Sequence, residues 1–96
     1  MIYEFLGKTI SGPFTIPSGI VATAAPIIQR LFDTTPQLGV MTTKSIGLAP
    51  REGNREPIMT QYAPGCFMNA VGLTNPGAEA AVKQLSQLIV PDDRFL

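Results

Sequence analysis

Residues 13–45 read PFTIPSGIVATAAPIIQRLFDTTPQLGVMTTKS, and their pattern decides the fold. Pro13-Phe-Thr-Ile-Pro17 is a short strand ended by the turn formers Ser18-Gly19. Pro26 suits the first turn of a helix, where its missing N–H costs nothing, and Ile27, Ile28, Leu31 and Phe32 then line one face. Leu38, Gly39, Val40 and Met41 open a second strand that ends in Thr42-Thr43-Lys44-Ser45. Strand, helix and strand in succession make a βα crossover, so the expected class is α/β with a parallel sheet.

Outward from this unit, the same reading continues. Upstream, Ile2–Leu6 and Lys8–Ile10 are strand-like pieces on either side of Gly7, as in a small hairpin spanning 2–10. Downstream, Ile46–Thr74 has no long periodic segment, although it has room for a hairpin around Glu56–Tyr62. Its 29 residues far exceed the ~12–15 at which structureless loops become uncommon, which makes it the first place to look for a site. Asn75-Pro76 reads as a helix cap followed by proline in the first helical position. Ala81, Val82, Leu85, Leu88 and Ile89 form the apolar stripe of that helix, Pro91 stops it, and Arg94-Phe95-Leu96 begins a further strand.

Composition excludes several classes. Seven basic and seven acidic residues cancel, leaving no field for a phosphate backbone, so nucleic acid is not an expected partner. There is no His, and Cys66 stands alone, which provides neither a zinc ligand set nor a disulfide; no metal is expected. The longest weakly polar run, Gly19–Ile28, is ten residues against the ~20 of a spanning helix, and Met1–Lys8 lacks a secretory pattern. The expectation is a soluble, cytoplasmic protein without a membrane anchor. The charged fraction of 15% lies below the ~25% usual for soluble domains, as for a chain whose faces are meant to be covered.

Few residues can carry chemistry. Lys44 ends an apolar strand, where βα folds bind ligands; it can hold an anion, or simply snorkel to solvent. Ser18-Gly19 allows close backbone approach to a ligand, or is ordinary turn punctuation. Asn69 and Asn75 flank Ala-Val-Gly-Leu-Thr, and their carboxamides match a heterocycle with alternating carbonyl and N–H groups. A helix cap explains Asn75 equally well, and a local backbone bond explains Asn69. Cys66 has no partner that would activate it and reads as a small hydrophobe. Arg51, Glu52 and Arg55 read as a solvated loop face with weak ion pairs, and Met41, Met59 and Met68 as interior packing.

Four stretches in order resemble the N-terminal part of class 1 dihydroorotate dehydrogenases. They are Pro13–Gly19; Thr43-Lys44-Ser45 with Pro50-Arg51-Glu52-Gly53-Asn54; Asn69-Ala-Val-Gly-Leu73; and Asn75-Pro76-Gly77. Each is weak alone, and the ordered set is specific. The resemblance implies an FMN-binding TIM (β/α)8 barrel preceded by a β-hairpin. At a typical ~250 residues for such a barrel, this chain would hold the hairpin, two βα units over 13–90 and the start of a third strand at 94–96. The rest of the barrel would then be needed for activity.

By the same resemblance, Ser18, Gly19, Ile20, Lys44 and Ser45 would contact FMN. Lys44, Asn69, Ala70, Val71, Gly72, Leu73 and Asn75 would bind dihydroorotate or orotate. The family's catalytic base, a cysteine, lies beyond residue 96, and Cys66 is in the wrong motif for it. Ala after Asn69 is closer to the NAD-linked type B than to the fumarate-linked type A, which implies a second subunit carrying FAD and an iron–sulfur cluster beside a homodimeric core. Pro17 departs from the alanine common before Ser-Gly and stiffens the first loop. The rival readings are a related FMN barrel acting on another dihydropyrimidine, and a non-catalytic assembly module.

Overall fold

The computed structural model describes residues 1–21 and 23–96. Strands β1 (Tyr3–Phe5) and β2 (Lys8–Ile10) pair antiparallel across Leu6 and Gly7. Both turn residues are left-handed, at φ 51° and 77°, the geometry that suits the twist of a two-residue hairpin. Strand β3 (Phe14–Ile16), helix α1 (Ala25–Thr34) and strand β4 (Leu38–Met41) follow as predicted, with Pro26 in the first turn of α1. β3 and β4 run parallel, and the Thr42 N–H extends their ladder to the Ile16 carbonyl at 3.0 Å. Phe95 bridges Val40 in parallel on the other edge of β4, its N–H donating to the Gly39 carbonyl at 2.9 Å. At the expected third strand the described residues make this one isolated bridge beside β4 and no strand.

The core lies between α1 and this sheet. Val21, Ile28, Phe32, Leu38 and Met41 are buried together, with Ile16, Leu31, Leu85 and Leu88 packed against them. Gly12 and Gly39 let two backbones meet: a Cβ on Gly12 would collide with Gln37, and one on Gly39 with the Gly12 carbonyl. The β1–β2 hairpin covers the amino ends of the strands. Ser11 Oγ donates to the Pro36 carbonyl at 2.6 Å, and the Lys8 ammonium sits 4.9 Å from the centre of the Phe95 ring. Phe5 meets that ring edge-on with centroids 5.4 Å apart.

The second half departs from expectation in three places. The segment 46–74 folds a hairpin of β5 (Met59–Ala63) and β6 (Cys66–Asn69), displaced toward the carboxyl end of the Glu56–Tyr62 window because the turn falls at Pro64-Gly65. Nearly all of it is exposed, so Met59 and Met68 are 62% and 55% accessible rather than interior, while Met41 is buried as expected. Helix α2 (Ala78–Leu85) starts after Gly77, not at Asn75-Pro76. Asn75 is held extended by backbone pairing with Arg51, and its side chain makes a turn ahead of the helix instead of capping it. The helix then ends before Leu88 and Ile89. The Ile89 N–H donates to Gln29 Oε1 at 2.8 Å and its carbonyl accepts from Gln29 Nε2 at 3.2 Å, tying this segment to α1. Leu85 and Leu88 reach the core, but Val82 and Ile89 do not.

The described residues form a mixed α/β arrangement with three two-stranded sheets, and they do not close a barrel by themselves. The radius of gyration, 16.0 Å, exceeds the ~12.5 Å of a compact domain of this length. No helix among the described residues is long and apolar enough to cross a membrane.

Candidate functional site

At the carboxyl ends of β3 and β4 lies a cleft of about 510 Å³, opposite the β1–β2 hairpin. Ser18 enters it just after β3, and Lys44 and Ser45 just after β4, so adjacent parallel strands deliver the hydroxyls and the cation to one place. Ile46, Gly47, Ala49, Arg51, Leu73, Thr74 and Asn75 complete the lining. Two cations and no carboxylate face this space, which favours an anionic or electron-rich ligand. Lys44 is half-buried and also lines an adjoining hollow of about 410 Å³, shared with Arg51, Thr74, Asn75 and the carboxylate of Glu52.

Asn75 joins three segments around the cleft. Its Oδ1 accepts from the Gly47 N–H at 3.1 Å and from the Gly77 N–H at 2.9 Å, while its Nδ2 donates to the Leu73 carbonyl at 3.2 Å. Asn75→Ala orphans two donors and is expected to lower stability by ~1–3 kcal/mol. Asn75→Asp keeps both acceptor contacts and is expected to lose less than half as much. Urea midpoints of the two variants check this, and equal losses would rule out the acceptor role.

The loop 70–73 is held by its carbonyls. Asn54 Nδ2 donates to Ala70 O at 2.8 Å, the Asn54 N–H to Val71 O at 2.9 Å, and Arg51 Nε to Gly72 O at 2.5 Å. Arg51 and Asn75 exchange both backbone bonds at 2.9 Å, and Thr74 Oγ1 donates to the Arg51 carbonyl at 3.0 Å. Within this frame Gly72 has φ 87° and Leu73 φ 54°. The left-handed leucine costs of order 1–3 kcal/mol, a strain that persists only where its surroundings impose it and that concentrates at binding sites.

Of the predicted site residues, the structure brings Ser18, Lys44, Ser45, Leu73 and Asn75 together in the cleft. Gly19 and Ile20 follow Ser18 as exposed loop; Gly19 has φ 97° and open space where a Cβ would stand. Val71 and Gly72 face the 51–54 segment through the bonds above. Asn69 and Ala70 line a separate hollow of about 190 Å³ at the root of the β5–β6 hairpin, together with Pro57, Met59 and Met68. Cys66 opens β6, is exposed and lines neither space.

Arg51 is the main cleft residue that sequence reasoning missed. Arg51, Glu52 and Arg55 are exposed as expected, but Arg51 forms no ion pair among the described residues and turns its Nε to the Gly72 carbonyl instead. The available signals were its place in the long segment 46–74 and in the Pro50–Asn54 stretch that carries the resemblance; neither gives its direction, because a loop arginine has no periodicity.

The family profile described as dihydroorotate dehydrogenase matches residues 1–91. Similar curated proteins are each named dihydroorotate dehydrogenase B (NAD(+)), catalytic subunit. The one from Methanocaldococcus jannaschii is 32% identical over 82 residues, covering 85% of this chain and 26% of that protein. That of Pyrococcus furiosus is 32% identical over 84 residues, covering 88% and 27%. That of Desulforudis audaxviator is 37% identical over 79 residues, covering 82% and 25%. The chain thus spans about a quarter of the length of the curated relatives it matches.

Proposed function

The chain belongs to the dihydroorotate dehydrogenase family, and from this we propose that it forms the first part of an FMN-containing (β/α)8 barrel that oxidises dihydroorotate to orotate in pyrimidine biosynthesis. The observation that carries this reading is the meeting of Ser18, Lys44, Ser45, Leu73 and Asn75 in one carboxylate-free cleft at the carboxyl ends of parallel strands. The expanded radius of gyration and the exposure of Phe14, Val82 and Ile89 support further βα units that would cover these faces.

The residues present suit a flavin. Ser18 and Ser45 supply hydroxyls, Gly19 leaves room for close backbone approach, and Lys44 supplies a cation in a partly buried setting. When bound, FMN supplies the hydride acceptor for C6 of dihydroorotate. Lys44 places positive charge where negative charge accumulates during reduction, and it also attracts the substrate carboxylate. With the carbonyls of Ala70, Val71, Gly72 and Leu73 committed within the protein and the Ala70 N–H donating to the Ile58 carbonyl, the N–H groups of Val71, Gly72 and Leu73 are the ones left to meet acceptors on orotate. Asn75 keeps that loop in place, and Asn69 stands at the root of the neighbouring hairpin, one residue before the loop. The base that removes the C5 proton comes from outside residues 1–96.

The names of the relatives support a type B enzyme, in which this catalytic subunit, as a homodimer in the cytoplasm, passes electrons to a second subunit carrying FAD and an iron–sulfur cluster. The test is a visible spectrum of the full-length gene product purified in the presence of FMN. A flavin band that shifts on adding orotate is expected. No flavin band sinks the reading, and a band that ignores orotate but shifts with another dihydropyrimidine moves the substrate to that compound.

A further inference from the structure

We infer that Arg51 is a positioning residue that sets which edge of the Gly72–Leu73 peptide faces the ligand, and thereby makes the loop a binder of carboxylate and carbonyl oxygens. The inference rests on the proposed dihydroorotate site. In a trans peptide the C=O and the following N–H point in opposite directions. Arg51 Nε holds the Gly72 carbonyl at 2.5 Å, so the Leu73 N–H is directed away from the 51–54 segment. Gly72, at φ 87°, has no Cβ to resist rotation of this peptide, and the leucine after it sits strained at φ 54°. Local preference therefore does not select the observed orientation, and the Arg51 bond does.

The chemistry of arginine fits this task better than that of lysine. Its planar guanidinium can commit Nε to a carbonyl and keep the Nη donors for another partner. Arg51 lines the same cleft as Lys44, so those donors and that charge remain beside the ligand. Its own backbone is pinned by the reciprocal pair with Asn75 and by Thr74 Oγ1, which fixes the base of the side chain. An acceptor-rich anion then meets a fixed N–H edge and two cations, whereas an uncharged dihydropyrimidine without a carboxylate gains less.

The test uses the full-length protein with three forms: parent, Arg51→Met and Arg51→Lys. Arg51→Met is expected to raise the orotate Kd, read from the flavin spectrum, by about ten- to a hundredfold, the range for loss of a charged hydrogen bond. KM for dihydroorotate should rise by more than kcat falls. Exchange of the hydrogen-bonded amides within 70–75, those of Ala70 and Asn75, should quicken about tenfold or more, with exchange in α1 unchanged. Arg51→Lys, which retains a cationic donor group but not the planar fork, should recover part of both effects. An unchanged orotate Kd, or exchange over 70–75 that does not move, overturns the inference. If exchange responds in Arg51→Met while the parent shows no flavin band, the clamp stands and the proposed function fails, so the two failures are told apart.

Discussion

Under the proposed function, replacing Lys44 by alanine in the full-length protein is expected to slow reduction of a bound flavin by dihydroorotate by ~10²–10³-fold, the usual cost of removing one preorganised charge or donor from a reacting centre. Lys44 is the cation that the second parallel strand delivers to the cleft; among the described residues no carboxylate lines the cleft itself, and the acid that lines the adjoining hollow is Glu52. The side chain is half-buried, so its charge acts through a medium less screening than water. Orotate affinity should fall as well, because the same ammonium attracts the product carboxylate. Lys44→Arg keeps the charge but brings a planar, longer head group, and should restore affinity more than rate. Stopped-flow reduction under anaerobic conditions is the direct measurement. A rate within twofold of the parent would remove Lys44 from the mechanism.

Phe32→Ala should give the largest loss of stability, ~3–5 kcal/mol, from lost burial together with an unfilled cavity. The ring is 2% exposed and sits among Val21, Ile28, Leu38 and Met41, where α1 meets the parallel sheet. It also forms the floor beneath Arg94, whose guanidinium carbon lies 5.8 Å from the ring centre. Arg94 is itself buried, at 7% exposure, with Nη1 donating to the Thr35 carbonyl at 3.4 Å, Asp93 3.7 Å from Nε, and no hydrogen-bond partner for Nε among the described residues. Removing the ring therefore leaves a poorly satisfied cation facing a void, a combination that costs more than either change alone. Urea unfolding of the complete protein measures it. A loss below ~1 kcal/mol would mean that the α1–sheet core is not the main support of the amino-terminal segment.

The expectation that α2 begins at Asn75-Pro76 shows where local rules lose. Asparagine before proline is a sound helix start by capping and φ preference. Here a strand-like bridge to Arg51 claims the Asn75 backbone, and its side chain reaches Gly47, so the helix waits until Ala78. The exposed Met59 and Met68 make the same point for burial. Alternation and composition mark residues that can pack, but not whether a neighbour is there to receive them.

Sequence alone determined the elements whose physics is local or periodic. The Gly7 hairpin, the Pro26 helix start, the apolar face of α1 and the strand Leu38–Met41 all follow from turn chemistry and the spacing of apolar residues. It also placed Ser18 and Lys44 at strand ends, and strand order then makes them neighbours. Tertiary structure alone decided what the 46–74 segment does. A carbonyl of Gly72 and a guanidinium of Arg51 lie 21 positions apart, and which of them meets which depends on how a long loop folds back. No residue type or period encodes that choice, because each group could be satisfied equally well by water until the surrounding frame brings them together.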